Sequence, residues 1–441
     1  MNPIDNSQRD RRLFLQSGAA ALAAYGLAQS SSADETDAAV APSATAPSEK
    51  LTIGIMGTGG RGGAIIKGML ASGRVDIAYA CDVDQRASAR AAKSIADQQS
   101  LETKTVTDFR RILDDPAVDA LVCAAPNHWH APATILGCAA GKHVYVEKPC
   151  SHTAAEGEMA VAAARKHDRI VQMGNQRRSW PGLVEAIGKV HAGEIGDVHY
   201  ARTWYNNRRA SIGFGKQVDS PAEFDWDLWQ GPVTRRPFKD NLVPYNWHWH
   251  WHWGNGELGN NGIHGIDVAR WGLQVDFPTR VTAGGGKYRH EDDQETPDTM
   301  MVTYDFPDKK TITWEGLSWS PLGPYEDGFG ISIHGTDGTI VIRGPGYTQY
   351  DMKRKQVATG TGAGGDQDHF ANFIDCIREH RRPNSDIEGG HRSTLLCHLG
   401  NIAYRTSSVL NTDPANGHII ENDAATALWS QDYANGWEPV I

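Results

Sequence analysis

A lysine at the end of an apolar stretch is the first candidate for chemistry in this chain of 441 residues. Val144-Tyr145-Val146 has the character of a buried strand, and Glu147-Lys148-Pro149 follows it directly. A lysine at this point can accept a proton or stabilise a negative charge. Both charged side chains would face a cleft if the strand belongs to a parallel sheet, because such sheets bind ligands at their carboxyl edge. The alternative is a surface ion pair before a turn.

A glycine-rich turn earlier in the chain indicates a phosphate site. Leu51–Met56 is a short apolar stretch, and Gly57-Thr58-Gly59-Gly60-Arg61-Gly62 leads from it into a helix-like segment. This G-x-G-x-x-G order lets a pyrophosphate approach the backbone and the free amides of the helix. A second strand ends at Asp82, whose carboxylate can accept hydrogen bonds from ribose hydroxyls and would repel a 2′-phosphate. The pattern therefore predicts NAD rather than NADP.

Two polar residues follow the next predicted strand, which spans residues 117–125. Asn127 and His130 lie where that strand gives way to a helix, so they are candidates for the nicotinamide and substrate end of the cleft. Asn127 can equally cap the helix that follows. With Glu147 and Lys148, these residues complete the predicted cofactor site.

His264 begins a predicted helix in the second half of the chain. Its imidazole can face the same cleft, and Asp267 lies one turn later on the same helix face, where it can fix the tautomer of the ring. A histidine and a lysine that converge on one carbinol suit hydride transfer, because the hydroxyl proton must leave as the hydride does. The alternative is a histidine that caps the helix.

The segment Trp247-His248-Trp249-His250-Trp251-His252-Trp253 alternates strictly. If it is extended, three imidazoles share one face and could coordinate a metal; if it is a loop, its rings would stack on a sugar. We expect a sugar site without metal. Arg177 can also serve in an ion pair between domains. The residues predicted to bind substrate are Asn260, Arg177, Tyr205, Trp229 and His248.

The predicted elements place these side chains in two domains. From residue 51 to 173, short apolar strands alternate with helices, which predicts a doubly wound Rossmann domain with a parallel sheet. From residue 174 to 441, the pattern predicts an α+β domain with an open, mainly antiparallel sheet, closed by helices at 366–379 and 393–410. Its predicted strands are 198–205, 281–288, 299–306, 311–317, 330–334 and 339–343.

Composition excludes several other classes of protein. The formal net charge of -10 is unlike that of a nucleic-acid-binding protein. The six cysteines show no ligand-like spacing, which argues against a disulfide scaffold or a zinc ribbon.

Residues 1–33 resemble a twin-arginine export signal. Arg11-Arg12-Leu13-Phe14-Leu15 precedes an apolar, alanine-rich stretch that is short for a membrane span. Residues 34–50, rich in Ala, Pro, Ser and Thr, are typical of a linker. We expect an exported, periplasmic protein with no membrane segment in its mature form. An uncleaved anchor or a chance basic start is the alternative.

These motifs together resemble the Gfo/Idh/MocA oxidoreductase family, in order and in spacing, from Leu51 to the end of the chain. The resemblance implies NAD(P)-dependent oxidation of a sugar or cyclitol hydroxyl, with Lys148 and His264 as the catalytic pair. Many members carry an aspartate four residues before that histidine, where this chain has Asn260. An amide cannot take up a proton, so Asp267 or Lys148 would take that part, or the chemistry has diverged. Trp229-Gln230-Gly231-Pro232 is similar to an element of an exported subgroup.

The resemblance and the motifs lead to one expected function and two alternatives. We expect hydride transfer between a tightly bound nicotinamide cofactor and a hydroxyl of a sugar, glycoside or inositol. The first alternative is a redox-neutral glycosidase, lyase or epimerase that acts through a transient keto-sugar. The second is an NAD-binding sensor that has lost the reaction. We also expect a homo-oligomer, formed through the open sheet face.

Overall fold

A computed structural model describes residues 50–441. The expected export signal and nearly all of the expected linker lie outside the described residues. Within residues 50–441, no helix is long and apolar enough to cross a membrane.

The first domain is built on a parallel sheet of six strands in the order β3-β2-β1-β4-β5-β6. Its strands are short and apolar because helices cover both faces of the sheet. The strands are β1 (Leu51–Met56), β2 (Val75–Cys81), β3 (Lys104–Val106), β4 (Ala120–Cys123), β5 (His143–Val146) and β6 (Val171–Met173). This order confirms the predicted Rossmann architecture, and the point at which the strand order reverses lies between β1 and β4.

Five helices connect these strands. Asp84 caps the second of them by accepting a hydrogen bond from the Arg86 amide, and Thr153 and Glu156 form a capping box at the fifth. The helices are α1 (Gly60–Ala71), α2 (Gln85–Ala96), α3 (Arg110–Leu113), α4 (Asn127–Ala139) and α5 (Ala154–Lys166).

The second domain contains a sheet of ten strands in the order β14-β13-β12-β11-β7-β10-β9-β8-β15-β16. All neighbours are antiparallel except β7 and β10, so the sheet is mixed but mainly antiparallel, as predicted. The strands are β7 (Val198–Asn206), β8 (Arg280–Gly286), β9 (Thr299–Phe306), β10 (Lys310–Leu317), β11 (Phe329–Gly335), β12 (Gly338–Arg343), β13 (Gly346–Asp351), β14 (Gln356–Gly360), β15 (Leu410–Thr412) and β16 (Ile419–Ile420).

Six helices complete the second half of the chain. One of them, from residue 367 to 379, returns to the first domain, where Phe370 and Phe373 pack on Tyr145 of β5. The core of the Rossmann sheet therefore includes residues far beyond position 173. The helices are α6 (Pro181–His191), α7 (Trp226–Gln230), α8 (Ile263–Leu273), α9 (Gln367–Glu379), α10 (Ile387–Thr406) and α11 (Asp423–Thr426).

Candidate active site

A cavity of about 810 Å³ opens at the carboxyl edge of the parallel sheet. Turns that follow β1, β2, β4 and β5 form one wall, and the other wall comes from residues 221–248 and the start of α8. This edge is where doubly wound sheets bind their ligands. The predicted site residues that line it are Gly57, Gly59, Gly60, Arg61, Asp82, Asn127, His130, Glu147, Lys148, Trp229, His248, Asn260 and His264.

The glycine turn has the shape that a pyrophosphate needs. Gly57 has a φ of +84°, and a Cβ there would lie 2.7 Å from the carbonyl oxygen of Ala124. A Cβ on Gly62 would lie 1.9 Å from the carbonyl oxygen of Gly57, so α1 can pack this closely on β1 only with glycine. A Cβ on Gly59 or Gly60 would meet no atom within 4 Å. The turn thus offers bare backbone at the start of α1, which fits a phosphate group.

Asp82 is held in place by Thr58, which lies behind the cavity lining. The Asp82 Oδ2 accepts hydrogen bonds from the Thr58 amide (2.8 Å) and hydroxyl (3.0 Å). The other carboxylate oxygen accepts from the Asp84 amide at 3.0 Å. Thr58 was predicted to bind the cofactor, but it is absent from the cavity lining and orients the Asp82 carboxylate, which does line the cavity.

The strand order fixes the length of the site. Asp82 follows β2 and Lys148 follows β5, so three inter-strand spacings separate them. Three spacings amount to about 14 Å. A dinucleotide can therefore extend from a ribose beside Asp82 to a reacting ring beside Lys148.

Arg61 forms ion pairs with two carboxylates, those of Glu147 and Asp366. Its Nε donates to Glu147 Oε1 at 2.7 Å, and its two terminal nitrogens donate to Asp366 at 2.7 and 2.9 Å. Burial opposes its charge, yet Glu147 and Asp366 raise the pKa of Arg61 above its ordinary value. Two carboxylates thus fix the guanidinium beside the cavity, and the contact of Arg61 with the cofactor stays a prediction.

Lys148 meets Asn260 at the other end of the cavity. The Lys148 ammonium donates to the Asn260 backbone oxygen at 2.7 Å and to the side-chain oxygen at 2.9 Å. Asn260 lies in a π-helical turn, Leu258–Gly262, directly before α8. Burial lowers the pKa of Lys148, although Glu147 and Glu257 act in the opposite direction. Asn260 thus aims the amine rather than exchanging a proton with it.

His264 lines the same part of the cavity. Its Nδ1 is buried without a hydrogen-bond partner among residues 50–441, which leaves Nε2 as the ring nitrogen available to the cavity. Burial and the nearby charge of Lys148 lower the pKa of His264 well below its ordinary value. The ring is therefore neutral, and one of its nitrogens carries a lone pair.

The predicted role of Asp267 is wrong. Its carboxylate accepts two hydrogen bonds of 2.8 Å from Arg178 and one of 2.6 Å from the Ser393 hydroxyl. Helical spacing placed Asp267 near His264, but the buried guanidinium of Arg178 is the stronger partner for a buried carboxylate. Arg178 thus forms a buried ion pair with Asp267, but within the second domain, not between domains as the alternative for its neighbour Arg177 would have it.

Asn127 and His130 lie in the cavity wall, and both make hydrogen bonds within the chain. The Asn127 amide donates to Asn255 at 2.9 Å, and Pro126 rather than Asn127 occupies the cap position of α4. The two ring nitrogens of His130 lie 2.5 Å from the Pro149 carbonyl oxygen and 2.7 Å from that of Ala125. His130 therefore ties the end of β4 to the loop that carries Lys148.

The alternating tryptophan and histidine segment is not extended. It begins with a 3₁₀ turn, Asn246–Trp249, and its three imidazoles bond to different partners: His248 to the Tyr245 carbonyl, His250 to Glu295 and His252 to the Thr234 carbonyl. Within residues 50–441 no three candidate ligand side chains are grouped as a metal site requires. His248 alone of the three lines the cavity.

Two predicted substrate residues lie away from the cavity lining. Arg177 stacks on the rings of Trp180 and Phe329, where burial lowers its pKa to about 10. The Tyr205 hydroxyl accepts a hydrogen bond from Arg209 at 3.2 Å. Trp229 does line the cavity, within an aromatic cluster. Tyr205, expected at the start of a loop, lies in strand β7, and Arg177 lies in a 3₁₀ turn, Gln176–Ser179.

Tyr245 and its neighbours were not predicted. Tyr245 lines the cavity, and its hydroxyl oxygen lies 3.3 Å from both Asn260 Nδ2 and Arg209. Arg209 is anchored by Glu257 at 2.5 Å. The available signal was the position of Tyr245, two residues before the alternating segment that was already considered a pocket wall.

Comparisons with known proteins agree with this architecture. Residues 51–175 match the Gfo/Idh/MocA description "Oxidoreductase family, NAD-binding Rossmann fold", and residues 189–439 match "Oxidoreductase family, C-terminal alpha/beta domain". Inositol 2-dehydrogenase of Salmonella paratyphi B is 31% identical over 123 residues, or 28% of this chain and 35% of that protein. A glycosyl hydrolase family 109 protein of Saccharopolyspora erythraea is 29% identical over 219 residues, or 47% of this chain and 48% of that protein.

The chain thus spans between a third and a half of the length of these two curated relatives. Among solved structures, levoglucosan dehydrogenase in complex with NADH and levoglucosan has a TM-score of 0.65 at 19% identity, and the match covers 82% of this chain and 99% of that one. This likeness is one of fold. Because the two family matches together cover most of the chain, the protein belongs to the Gfo/Idh/MocA oxidoreductase family, whose first domain is an NAD-binding Rossmann fold.

Proposed function

We propose that this protein oxidises a hydroxyl-bearing carbon of a sugar, glycoside or inositol, with a tightly bound NAD that accepts the hydride. The observation that supports this most directly is the presence of Lys148 and His264 in one cavity, three strands away from Asp82. Inositol 2-dehydrogenase among the relatives and levoglucosan dehydrogenase among the structures support a polyhydroxylated ring as the substrate.

Two features of the chain support the binding of NAD. Open backbone at Gly59 and Gly60 suits the pyrophosphate, and the Asp82 carboxylate suits the ribose hydroxyls. A negative charge at that point disfavours a 2′-phosphate, so NADP is the less suitable cofactor.

The two catalytic side chains divide the work on the substrate hydroxyl. Lys148 has three N–H donors, and two of them go to Asn260, so the third is left for the hydroxyl oxygen, whose pKa it lowers. His264 is neutral and accepts the proton at Nε2. Asn260, which cannot accept a proton, keeps the ammonium pointed at the substrate.

A second candidate is bond cleavage or epimerisation without net oxidation. A transient ketone acidifies the neighbouring C–H, and loss of that proton lets the glycosidic bond break with departure of the alcohol. Water would then add to the resulting double bond, and the hydride would return to the ketone. In epimerisation, the hydride or the proton would instead return to the opposite face of the ring. The similarity to a protein named as a glycosyl hydrolase of family 109 favours this candidate. The same two side chains would serve it, since the first step is unchanged.

We also propose that the protein is exported, on the basis of the twin arginine at Arg11-Arg12 and the apolar stretch after it. The Trp229-Gln230-Gly231-Pro232 element, similar to one in an exported subgroup, points the same way. A freely exchanging NAD pool is not expected outside the cytoplasm, so the cofactor would be bound before export and regenerated in place.

The test uses the full-length protein purified without added cofactor. The absorbance band of reduced nicotinamide is recorded while sugars, glycosides and inositols are added, and the products are analysed. A lasting increase with an oxidised product indicates net oxidation, and cleavage or epimerisation without a lasting increase indicates the second candidate. Lys148→Ala should abolish both. Turnover that survives this substitution, or a protein that binds no nicotinamide, would refute the proposal.

A further inference from the structure

Tyr245 and His248 face the cavity from a single turn of the chain, and the catalytic roles above use neither. Building on the proposed function, we propose that they form a hydroxyl-binding pair: Tyr245 donates to, and His248 accepts from, a substrate hydroxyl on the carbon next to the reacting carbon. The pair would make the enzyme specific for rings with a free vicinal hydroxyl.

The direction of the Tyr245 proton follows from its neighbours. Lysine can only donate, so the Asn260 oxygen must face Lys148 and the Asn260 Nδ2 must face the Tyr245 hydroxyl, at 3.3 Å. Arginine can also only donate, and Arg209 approaches the same phenolic oxygen at 3.3 Å. With two donors on its oxygen, Tyr245 directs its own proton elsewhere. Its ring is 45% exposed and lines the cavity, so that proton is available to a ligand.

His248 has the complementary character. Its Nδ1 lies 2.6 Å from the Tyr245 carbonyl oxygen, which can only accept, so Nδ1 carries the ring proton and Nε2 carries a lone pair. Burial lowers the pKa of His248 to about 3, and the ring stays neutral. The ring is held between Trp247, at a centroid distance of 3.6 Å, and Tyr245, at 4.4 Å. It is therefore a fixed acceptor.

The position of the pair relates it to the reacting hydroxyl. Only the amide of Asn260 separates the Tyr245 hydroxyl from the Lys148 ammonium. A ring bound with one hydroxyl on Lys148 therefore presents the next one to Tyr245 and His248. A hydroxyl both donates and accepts, and this matches one donor and one acceptor on the protein. A ligand without that hydroxyl would forgo both hydrogen bonds, which carries a free-energy cost.

The experiment compares the best substrate with its analogue that lacks the vicinal hydroxyl. It uses the full-length protein with its NAD, and it measures kcat/KM together with equilibrium affinity by calorimetry. Two neutral hydrogen bonds predict that the wild type prefers the hydroxylated ring by about 10- to 100-fold. Tyr245→Phe should lower kcat/KM for that ring by about 3- to 10-fold and leave the deoxy analogue unaffected. His248→Phe, which keeps a stacked ring, should act in the same way.

Tyr205→Phe is the matched control. It also removes a phenolic hydroxyl that accepts a hydrogen bond from Arg209, but from a ring outside the cavity lining. It should keep the wild-type ratio between the two ligands. If Tyr245→Phe weakens both ligands equally, or if Tyr205→Phe reproduces its effect, the pair does not read a hydroxyl and the inference is wrong. If no polyhydroxylated ring binds or reacts at all, the proposed function itself fails.

Discussion

Replacing Asn260 by aspartate would place a carboxylate directly on the catalytic amine. The Asn260 side-chain oxygen lies 2.9 Å from the Lys148 ammonium. At an effective dielectric constant of ~20, two opposite charges at that distance attract each other by about 6 kcal/mol. Burying the new carboxylate offsets part of this attraction. The net effect expected for an opposite charge in contact is an increase of about 1–3 in the pKa of Lys148.

The sign of this change can be measured in the pH profile of kcat/KM, which reports the ionisations of the free enzyme. Burial lowers the pKa of Lys148 in the wild type, so Asn260→Asp should move the lysine-dependent limb to higher pH. Asn260→Leu is the control with the opposite sign: it removes one acceptor of the ammonium and should move the limb to lower pH. If both variants shift the limb in the same direction, or neither shifts it, Asn260 does not control the charge of Lys148.

Three further predictions concern the carboxylates of Asp82, Asp267 and Glu156. Asp82→Ser should weaken NAD binding by at least about 10-fold and improve the ratio of NADP to NAD affinity, measured on cofactor-free protein; an unchanged ratio would contradict the ribose assignment. Asp267→Asn should reduce the free energy of unfolding, measured in urea, by about 3–5 kcal/mol, because it leaves the Arg178 guanidinium without its partner charge. A variant that keeps the stability of the wild type but loses activity would show that Asp267 has a catalytic role after all. Burial raises the pKa of Glu156 from 4.5 to about 7, so between these pH values the folded state holds a proton that the unfolded state has released. As the pH rises from 4.5 to 7, the free energy of unfolding of the wild type should therefore fall by on the order of 3 kcal/mol relative to that of Glu156→Gln. Parallel curves of stability against pH for the two proteins would refute this.

The sequence predicted those parts of the site that backbone conformation determines. Gly57 and Gly62 are dictated by a left-handed φ and a close helix contact, and both leave a mark in the sequence. Lys148 follows a strand that is apolar on both faces, and its position at the carboxyl edge follows from the parallel topology. Such features depend on local geometry, which a single sequence can report.

The parts that were missed depend on which side chains meet in space. Asp267 bonds to Arg178, 89 residues away in sequence, and helical periodicity cannot reveal that partner. Arg177 and Tyr205 lie near the ends of their elements, where a small rotation of the backbone decides whether a side chain points into the cavity or into the protein interior. The Tyr245 hydroxyl accepts hydrogen bonds from Asn260 and Arg209, which belong to two other segments of the chain. Long-range partners of this kind leave no periodic signal.

Helix α9 determines when the first domain can finish folding during synthesis. Phe370, Phe373 and Ile374 complete the hydrophobic core beneath the nucleotide-binding sheet, and Asp366 completes the ion pairs of Arg61. The first 120 or so residues of the fold therefore remain unfinished until a segment nearly 200 residues later has been synthesised. A ribosome-bound chain would hold an open nucleotide fold for most of its synthesis, and a fragment cut at residue 173 would lack an aromatic layer of its own interior. We therefore expect folding of the first domain and cofactor binding to wait until α9 has been synthesised.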